Sequence, residues 1–387
     1  MKRNRPRIAF FTPLPTPYRQ PLLERLAALP DLDVRVFFLA GTEADRSWTV
    51  PVSGERMSFL PVRSLRWGRG KPLFFHFNPG VRTLLDRERF DLLVVPGWAQ
   101  PTSIVALRWA AKNHVPTVVC SETHRLGVPP RASDRARRVV VRRLVSGVAG
   151  GLAAGSAARD YLAGLGVPRE RIWFFPNTPD AERIVRETDR LRAGRREFLA
   201  RWDLRCETTA LFVGRLIPAK APFDLLDAYE KVVRGGLDTG LLIVGDGEME
   251  GALRERIAER KLDKARILGF REGEELLAAY AAADLFVLPS VQEPWGAVVN
   301  EAAAAGLPLL LSDVVGAGVD LVEEGRTGFR VPARDVAALA DRWRTLLTSE
   351  DRARMGRRAR EAALARGYDF AVAQFRECVA TLLETRP

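Results

Sequence analysis

Short apolar runs alternate with amphipathic segments along the whole of this 387-residue chain. The apolar runs of the first half are RIAFF, DVRVFFLA, DLLVVPG, VPTVVCS, AGGLAAGS and RIWFFPN, and those of the second half are TTALFVGR, GLLIVGDG, ARILGF, ADLFVLPS and LPLLLSD. Segments with helical periodicity, such as PYRQPLLERLAAL and PTSIVALRWAAKN, separate these runs. Strands that alternate with helices form parallel sheets with helices on both faces. The pattern therefore predicts the α/β class, with two doubly wound parallel sheets.

The two series of strands are separated near PNTPD, residues 176–180. We predict a Rossmann-like N-terminal domain over 1–180, a connecting helix over 181–205, a Rossmann-like C-terminal domain over 206–366 and a closing helix over 367–387. The two domains are expected to face each other across a cleft. Ligands of such sheets bind beyond the carboxyl ends of the strands, so the residues that follow each strand are the candidates for a site.

Composition indicates a globular protein without a membrane span or a metal. The chain is 47% hydrophobic and 28% charged, and no apolar run approaches the roughly 18 residues that a spanning helix needs. The apolar part of MKRNRPRIAFFTPLP is too short for a signal peptide and is predicted to be the first strand. Cys120, Cys206 and Cys378 are far apart, which predicts buried, inert thiols in a cytoplasmic protein. Without a ligand cluster or an Asp-x-Asp in a plausible loop, no metal or other tightly bound cofactor is expected.

The net charge of +12 is concentrated in the first half of the chain, where residues 1–180 carry +14 and residues 181–387 carry −2. The segment RASDRARRVVVRRLVSG predicts a helix with arginines on one face and apolar residues on the other: Arg131, Arg135, Arg138 and Arg142 against Val140, Val141, Leu144, Val145 and Val148. A basic amphipathic helix over 131–148 suggests an anionic membrane surface, at the inner face of the cell membrane. The alternative is a packed helix with a solvated arginine face. Nucleic acid is disfavoured, since no binding motif or interleaved aromatic residues accompany the cations.

Two carboxylates separated by seven residues, Glu293 and Glu301, interrupt the apolar stretch SVQEPWGAVVNEAAAAGLPLLLSD. Strands on both sides predict a helix over 294–305, with Glu293 at its mouth and Glu301 about two turns inside. The backbone N–H groups of Trp295, Gly296 and Ala297 would then point out of the helix N-terminus, which suits a polar or anionic ligand. Alternatively, Glu293 interacts only with the helix dipole and Glu301 is a solvated helix residue.

Cations and glycines follow the preceding strands of the second half. Arg215 directly follows the strand in LFVGR, and Lys220 lies in the next loop. Gly245 and Gly247 end the strand in LIVGDG, where absent side chains would let a ligand approach the backbone. Gly269 and Phe270, after the third strand, could hold an aromatic base or could be core residues, and Arg215 alone could be a surface ion pair. Two cations for a diphosphate beside carboxylates for sugar hydroxyls predict a nucleotide-sugar site.

These motifs, in this order, resemble the nucleotide-sugar domain of the family-four retaining glycosyltransferases with the GT-B fold. The matching residues are GRL followed by Lys220, VGDGE, ILGF, ADLFVLPS and the E-x7-E stretch EPWGAVVNE. The resemblance implies that Arg215 and Lys220 bind the donor diphosphate and that Glu301 holds the ribose hydroxyls. It implies that Glu293 contacts hydroxyls of the donor sugar, helped by the N–H groups of residues 295–297. It also implies that the closing helix crosses back to the first domain.

The first half matches this family less fully. Its first loop, TPLPTPYRQ, lacks the Gly-Gly pair of many relatives and offers Arg19 instead, which is expected on the acceptor side together with Glu122. In CSETHRLG, His124 holds a position where relatives often have a histidine near the donor sugar, and the alternative is an ordinary loop histidine. Trp98, in VVPGWAQP, is expected to stack on the acceptor or to form part of the cleft wall.

The predicted activity is the retaining transfer of a hexose-type sugar from a UDP- or GDP-sugar to a sugar or lipid-linked acceptor, in cell-surface polysaccharide or glycolipid biosynthesis. A small soluble metabolite is the alternative acceptor. A GT-B-fold sugar-nucleotide epimerase, a glycan phosphorylase and an inactive nucleotide-sugar-binding scaffold are alternative classes. A phosphorylase should contain a pyridoxal-binding lysine region, which is not evident, and a scaffold has no need of all four of Arg215, Lys220, Glu293 and Glu301.

Overall fold

A computed structural model describes residues 5–43, 50–52, 54–67, 73–127 and 132–384 of the chain. The chain divides into two compact units. The first comprises Met1–His124, Pro129–Asn177 and Tyr368–Pro387, and the second comprises Arg125–Val128 and Thr178–Gly367. Among the described residues, no helix is both long enough and apolar enough to cross a bilayer.

Strands and α-helices alternate along much of the described chain. The strands are β1 (Arg7–Thr12), β2 (Asp33–Phe38), β3 (Met57–Phe59), β4 (Arg63–Trp67), β5 (Leu73–Phe77), β6 (Leu92–Pro96), β7 (Thr117–Ser121), β8 (Gly150–Ala153), β9 (Ile172–Phe174), β10 (Thr208–Val213), β11 (Thr239–Val244), β12 (Ala265–Gly269), β13 (Leu285–Leu288), β14 (Leu309–Ser312) and β15 (Gly328–Val331). The helices are α1 (Gln20–Ala27), α2 (Val81–Glu88), α3 (Pro101–Asn113), α4 (Ala132–Val145), α5 (Ser156–Gly164), α6 (Ala181–Arg192), α7 (Arg195–Arg201), α8 (Pro222–Arg234), α9 (Glu250–Glu259), α10 (Gly273–Ala282), α11 (Ala297–Ala304), α12 (Gly318–Leu321), α13 (Val336–Thr348), α14 (Arg352–Leu364) and α15 (Tyr368–Glu384).

The first unit is built on a seven-stranded sheet in the order β3-β2-β1-β6-β7-β8-β9, in which every neighbouring pair is parallel. Its central strands are buried almost continuously, as parallel strands covered on both faces must be. Helices α1 and α15 pack on one face of the sheet, and α2 to α5 contribute to the core on the other face. Strands β4 and β5 form a separate antiparallel hairpin.

The second unit is built on a six-stranded parallel sheet in the order β12-β11-β10-β13-β14-β15. The predicted α/β class with two parallel sheets is therefore confirmed. The order makes β13 the direct neighbour of β10, although α8, β11, α9, β12 and α10 separate them along the chain. The loops that follow β10 and β13 consequently meet at one edge of the sheet.

The segment predicted as one connecting helix over 181–205 folds as two helices, α6 and α7, with Gly194 between them. Glycine costs about 1 kcal/mol relative to alanine inside a helix, which favours a break at this point. Among the cysteines, Cys120 and Cys378 are buried, and burial raises the pKa of both thiols. Cys206 is only partly buried, contrary to prediction, because it precedes β10 at the margin of the sheet.

Helix α4 differs from its prediction in the face that it exposes. Val141 and Val145 are buried, but Val140 is 59% exposed because it lies on the outward side together with the equally exposed Val139. The Arg138 guanidinium donates to the carbonyl of Gly164 at 3.0 Å, at the end of α5. Part of the predicted arginine face therefore packs along a neighbouring helix. Arg131 and the side chain of Arg135 lie outside the described residues.

Helix α15 closes the core of the first unit with Phe375, which is fully buried. Its ring lies 6.2 Å from the ring of Phe10 on β1 and 6.3 Å from that of Phe175, which follows β9. Chain segments from both ends of the sequence thus share one aromatic cluster.

We predict that Phe375→Ala lowers the free energy of unfolding by about 3–5 kcal/mol, because it removes a buried aromatic ring and leaves a cavity. Urea unfolding followed by circular dichroism measures the change. Leu364→Ala, at a position that is 40% exposed, is the control and should change stability by less than about 0.5 kcal/mol. Equal stability of the two variants would contradict the central role of this ring.

Candidate functional site

The loops after β10 and β13 are joined by backbone hydrogen bonds. The N–H groups of Val291 and Gln292 donate to the carbonyl of Ala219 at 2.9 and 3.2 Å. Ala219 is in a short 3₁₀ turn, Pro218–Lys220, that brings Lys220 up to the second loop. Residues that are more than seventy positions apart in sequence are in this way fixed against each other.

The centre of this region is an ion pair between Lys220 and Glu293. The Lys220 Nζ donates to Glu293 Oε2, and the two side chains are only 16% and 10% exposed. The carbonyl of Glu293 accepts from the N–H of Gly316 at 3.1 Å, which fixes the backbone beneath the carboxylate. A charge this well buried needs a partner, and each of these two side chains supplies it for the other.

The helix that follows Glu293 begins later than the sequence predicts. Helix α11 starts at Ala297 because Gly296 has a φ of 95°, a left-handed conformation that cannot belong to the helix. A side chain at Gly296 would crowd the Cγ of Glu293, at 3.2 Å, so glycine lets the carboxylate lie beside the helix end. The N–H groups of the first turn belong to Ala297 and Val298, and sequence analysis missed Val298.

Trp295 is a buried anchor that holds the loop before α11. Its indole nitrogen donates to Asn300 Oδ1 at 3.0 Å, and its carbonyl accepts from the N–H of Ala317 at 2.9 Å. Its backbone N–H therefore precedes the helix end instead of forming part of it, contrary to the expected grouping with Gly296 and Ala297.

Glu301 lies about one turn inside α11, closer to the helix end than the two turns expected. The hydroxyl of Tyr280, from α10, donates to Glu301 Oε2 at 2.8 Å. Burial raises the pKa of Glu301 to about 7, although the hydrogen bond from Tyr280 acts in the opposite direction. Glu301 is thus no ordinary solvated helix residue, and it changes its charge near neutral pH. Sequence analysis missed Tyr280, whose signal is a lone hydroxyl in the apolar helix GEELLAAYAA.

Arg215 and the glycines surround this centre. Arg215 is partly exposed and lies two residues after the end of β10, with Gly214 between them. Side chains at Gly245 and Gly247 would overlap the backbone carbonyls of Gly214 and Leu216. These two glycines therefore allow the loops after β10 and β11 to touch, which is a reason for glycine at these positions besides the predicted approach of a ligand.

Gly269 and Phe270 lie at the end of the neighbouring strand, β12. The carbonyl of Gly269 accepts from the N–H of Gly245 at 2.9 Å, which ties β12 to the loop after β11. The Phe270 ring is 37% exposed, so it is not a core residue. Of the two interpretations given above for Phe270, its exposure favours the contact with an aromatic base.

In the first unit, Arg19 lies at the start of α1 against the end of β7. Its Nη2 donates to Cys120 Sγ at 3.6 Å, and its guanidinium lies 5.9 Å from the centroid of the Phe175 ring. Burial disfavours the charge of Arg19, but Cys120, Tyr18 and Glu122 together outweigh that effect and raise its pKa. Sequence analysis predicted only an inert thiol at Cys120. Its position next to Ser121, at the end of a strand, is the feature of the sequence that could have indicated a contact with Arg19.

The other predicted residues of the first unit lie nearby at strand ends. Glu122 is exposed and accepts from Asn177 Nδ2 at 2.5 Å, an asparagine of the PNTPD segment that sequence analysis did not assign. His124 is partly exposed. Trp98 packs against the helix-covered core, with its ring 6.1 Å from that of Tyr161, which favours a wall position over a freely stacking one.

Two family models match the chain. The model described as glycosyl transferases group 1 matches residues 202–362, and the glycosyl transferase 4-like domain matches residues 15–178. The chain is 38% identical over 179 residues to a glycogen synthase of Mycobacterium tuberculosis, covering 46% of this chain and 42% of the relative. It is 36% identical over 223 residues to a D-inositol 3-phosphate glycosyltransferase of Nocardia farcinica, covering 55% of this chain and 48% of the relative. The matches thus span about half the length of these curated relatives.

Solved structures share the fold over nearly the whole chain. The Anabaena protein HepE, crystallised with UDP and glucose, superposes with a TM-score of 0.70 at 18% identity, covering 97% of this chain and 99% of that one. Sucrose-phosphate synthase from Thermosynechococcus elongatus gives a TM-score of 0.71 at 19% identity, covering 99% and 100%. The GT-B fold predicted from the sequence is confirmed by this likeness. With both family models matched in order along it, the chain belongs to the group 1 glycosyltransferases.

Proposed function

We propose that this protein is a retaining hexosyltransferase that uses a nucleoside-diphosphate sugar. The donor is a UDP- or GDP-sugar, and the product belongs to a cell-surface polysaccharide or glycolipid. The observation that carries the proposal is the Lys220–Glu293 ion pair at the N-terminus of α11, with Glu301 one turn further along. The glycosyltransferase relatives and the UDP and glucose bound by HepE support this choice of donor class.

The diphosphate is the group that Lys220 and Arg215 recognise. Before the donor binds, Glu293 neutralises Lys220, so an arriving diphosphate exchanges one anionic partner for another. The N–H groups of Ala297 and Val298 add a positive dipole end close to the ion pair. When the sugar–phosphate bond breaks, negative charge grows on the diphosphate, and these cations stabilise it most in the transition state.

The two glutamates contact different parts of the donor. Glu293, released from Lys220, accepts hydrogen bonds from hydroxyls of the transferred sugar. Glu301 accepts hydrogen bonds from the ribose hydroxyls, and Tyr280 fixes the orientation of its carboxylate. Because a carboxylate accepts hydroxyl hydrogen bonds best when it is charged, ribose binding lowers the pKa of Glu301.

The transfer keeps the anomeric configuration by attack on the face from which the diphosphate departs. The bond between the anomeric carbon and the phosphate oxygen breaks, and the bond to the acceptor oxygen forms. A diphosphate oxygen takes the acceptor proton, so no protein base is required. This scheme differs from glycoside hydrolysis, in which two carboxylates flank the bond. The protein contributes positioning and electrostatic stabilisation.

The first unit supplies the acceptor side of the proposal. Arg19, Glu122 and Trp98 contact the acceptor, and His124 lies near the donor sugar, as the family resemblance implies. The excess of cations in the first half of the chain suits a lipid-linked acceptor at an anionic membrane surface. A cytoplasmic enzyme bound peripherally to the inner face of the cell membrane fits these features.

We expect Arg215→Ala and Lys220→Ala each to lower kcat/KM for donor-sugar hydrolysis at least about tenfold, since each removes a charge-assisted contact of about 1.5–3 kcal/mol. Hydrolysis of a panel of UDP- and GDP-sugars is the assay. Lys231→Ala, at an exposed lysine of α8, is the control and should leave the rate unchanged. Wild-type rates in both active-site variants would overturn the assignment of the diphosphate site.

A second experiment separates the two glutamates by calorimetric binding of the bare nucleoside diphosphate. Glu301→Gln should weaken this binding about tenfold, because the ribose loses a charged acceptor. Glu293→Gln should leave it unchanged or tighten it, because Lys220 loses a competing anion, while sugar transfer is lost. An equal loss of nucleotide affinity in both variants would contradict this division of roles.

The third prediction concerns protons. With a pKa of about 7, free Glu301 is half protonated at neutral pH, so binding of the intact nucleotide sugar, whose diphosphate does not titrate near neutral pH, should release about half a proton at pH 7. Affinity should therefore fall as the pH drops from 8 to 6. Calorimetry in buffers of different ionisation enthalpy measures the release. Glu301→Gln should abolish it, whereas Tyr280→Phe should keep or increase it, since the Tyr280 hydrogen bond lowers the pKa. Proton uptake on binding would reverse the proposed role.

A further inference from the structure

The hairpin of β4 and β5 in the first unit turns apolar side chains outward and a buried histidine inward. Ser64 is paired with His76, and the flanking pairs are Arg63 with Phe77 and Leu65 with Phe75. Residues paired across antiparallel strands lie on the same face, and faces alternate along each strand. One face therefore carries Ser64, Arg66, Phe74 and His76, and the other carries Arg63, Leu65, Phe75 and Phe77.

The polar face of the hairpin is the one held against the protein. His76 is 1% exposed, with its Nδ1 2.9 Å from Ser64 Oγ and its Nε2 3.0 Å from Glu43 Oε1. The backbone N–H of His76 donates to Gln100 Oε1 at 2.7 Å, and Gln100 Nε2 donates to the backbone carbonyl of Phe74 at 3.1 Å. These hydrogen bonds fix the register, so the opposite face cannot turn inward.

The outward face is apolar. Leu65 is 59% exposed, Phe77 is 42% exposed and Val62, just before β4, is 41% exposed, while Phe75 is partly exposed. Large apolar side chains normally occupy the buried face of a hairpin, whereas here hydrogen bonds of His76 and Gln100 hold the hairpin with Leu65 and Phe77 on its outward face. A cluster of exposed apolar residues on one surface indicates a contact with a partner.

The sequence around the hairpin is rich in cations. Residues 56–85 contain six cations and no Asp or Glu. Arg63 is exposed on the outward face, and Arg66 is exposed on the opposite face of β4. Exposed apolar side chains accompanied by a cation fit an anionic bilayer, with the apolar groups among the lipid chains and the cation at the headgroups. A second copy of the chain fits poorly, because it would bring two such cationic surfaces together.

We propose that the outward face of the β4–β5 hairpin docks on an anionic membrane surface. The hairpin also has a connection to the acceptor side. Gln100, which holds two backbone groups of β5, immediately precedes α3 and lies two residues after Trp98. Docking would thus bring the loop of Trp98 to the lipid surface. The use of this loop for an acceptor at the membrane rests on the proposed lipid-linked acceptor. Membrane binding by the hairpin does not depend on that proposal.

The chain offers a matched control surface. Val139 and Val140 of α4 are each 59% exposed and have arginine neighbours, so they equal Leu65 in exposure without lying on the hairpin. Replacing Val139 and Val140 tests whether any exposed apolar pair near cations is enough for binding to anionic vesicles.

The experiment is co-sedimentation of the full chain with vesicles of phosphatidylglycerol and phosphatidylcholine in equal parts, compared with phosphatidylcholine alone, at low and high salt. The wild type should prefer the anionic vesicles, and high salt should weaken binding. The double variant Leu65→Ser/Phe77→Ser should bind about tenfold more weakly, and Arg63→Gln should bind about fivefold more weakly. Val139→Ser/Val140→Ser should stay within about twofold of the wild type.

Circular dichroism and donor-sugar hydrolysis without vesicles show whether each variant is folded, and both should be unchanged. No preference for anionic vesicles, or loss of binding only in the α4 variant, would overturn the proposal. So would light scattering that shows a dimer dissolved by the hairpin substitutions, because the face would then bind a second copy. Absence of hydrolysis with every donor would instead count against the proposed function and leave the vesicle result intact.

Discussion

A parallel sheet that is covered by helices on both faces leaves polar chemistry only at the ends of its strands. Both sheets of this protein have that construction, and their central strands are almost continuously buried. Apart from Glu301, which lies one turn inside α11, every charged side chain assigned to the candidate site consequently follows a strand or begins a helix. The order of the strands then decides which of these side chains meet, and in the second unit the adjacency of β10 and β13 brings Lys220 to Glu293.

The Lys220–Glu293 pair shows how such a site can exist without its ligand. Two nearly buried opposite charges stabilise each other. Tyr280 has a comparable function for Glu301, since its hydroxyl donates a hydrogen bond to a carboxylate whose pKa burial raises to about 7. The site therefore combines a nearly buried ion pair with a carboxylate whose pKa lies near neutrality.

The sequence predicted the two parallel sheets and most of their strands, because apolar periodicity is a local property. It missed the edge strands β3 and β15 and the β4–β5 hairpin. It did not predict Tyr280, Asn177 or the contact of Cys120 with Arg19, since these depend on neighbours that are distant along the chain. Local conformation caused two further differences. The left-handed Gly296 delays α11, and the packing of α4 beside α5 leaves Val140 outward although helical periodicity placed it inward.

The position of α15 has a consequence for the synthesis of the chain. The face of the first sheet that includes Phe10 and Phe175 is completed by Phe375, which the ribosome adds only after the whole second unit. Until then, an aromatic surface of the first unit stays uncovered while the second unit folds as a separate body. The core of the first unit can therefore be completed only after α15 has been synthesised, whereas all residues of the second unit are present before it.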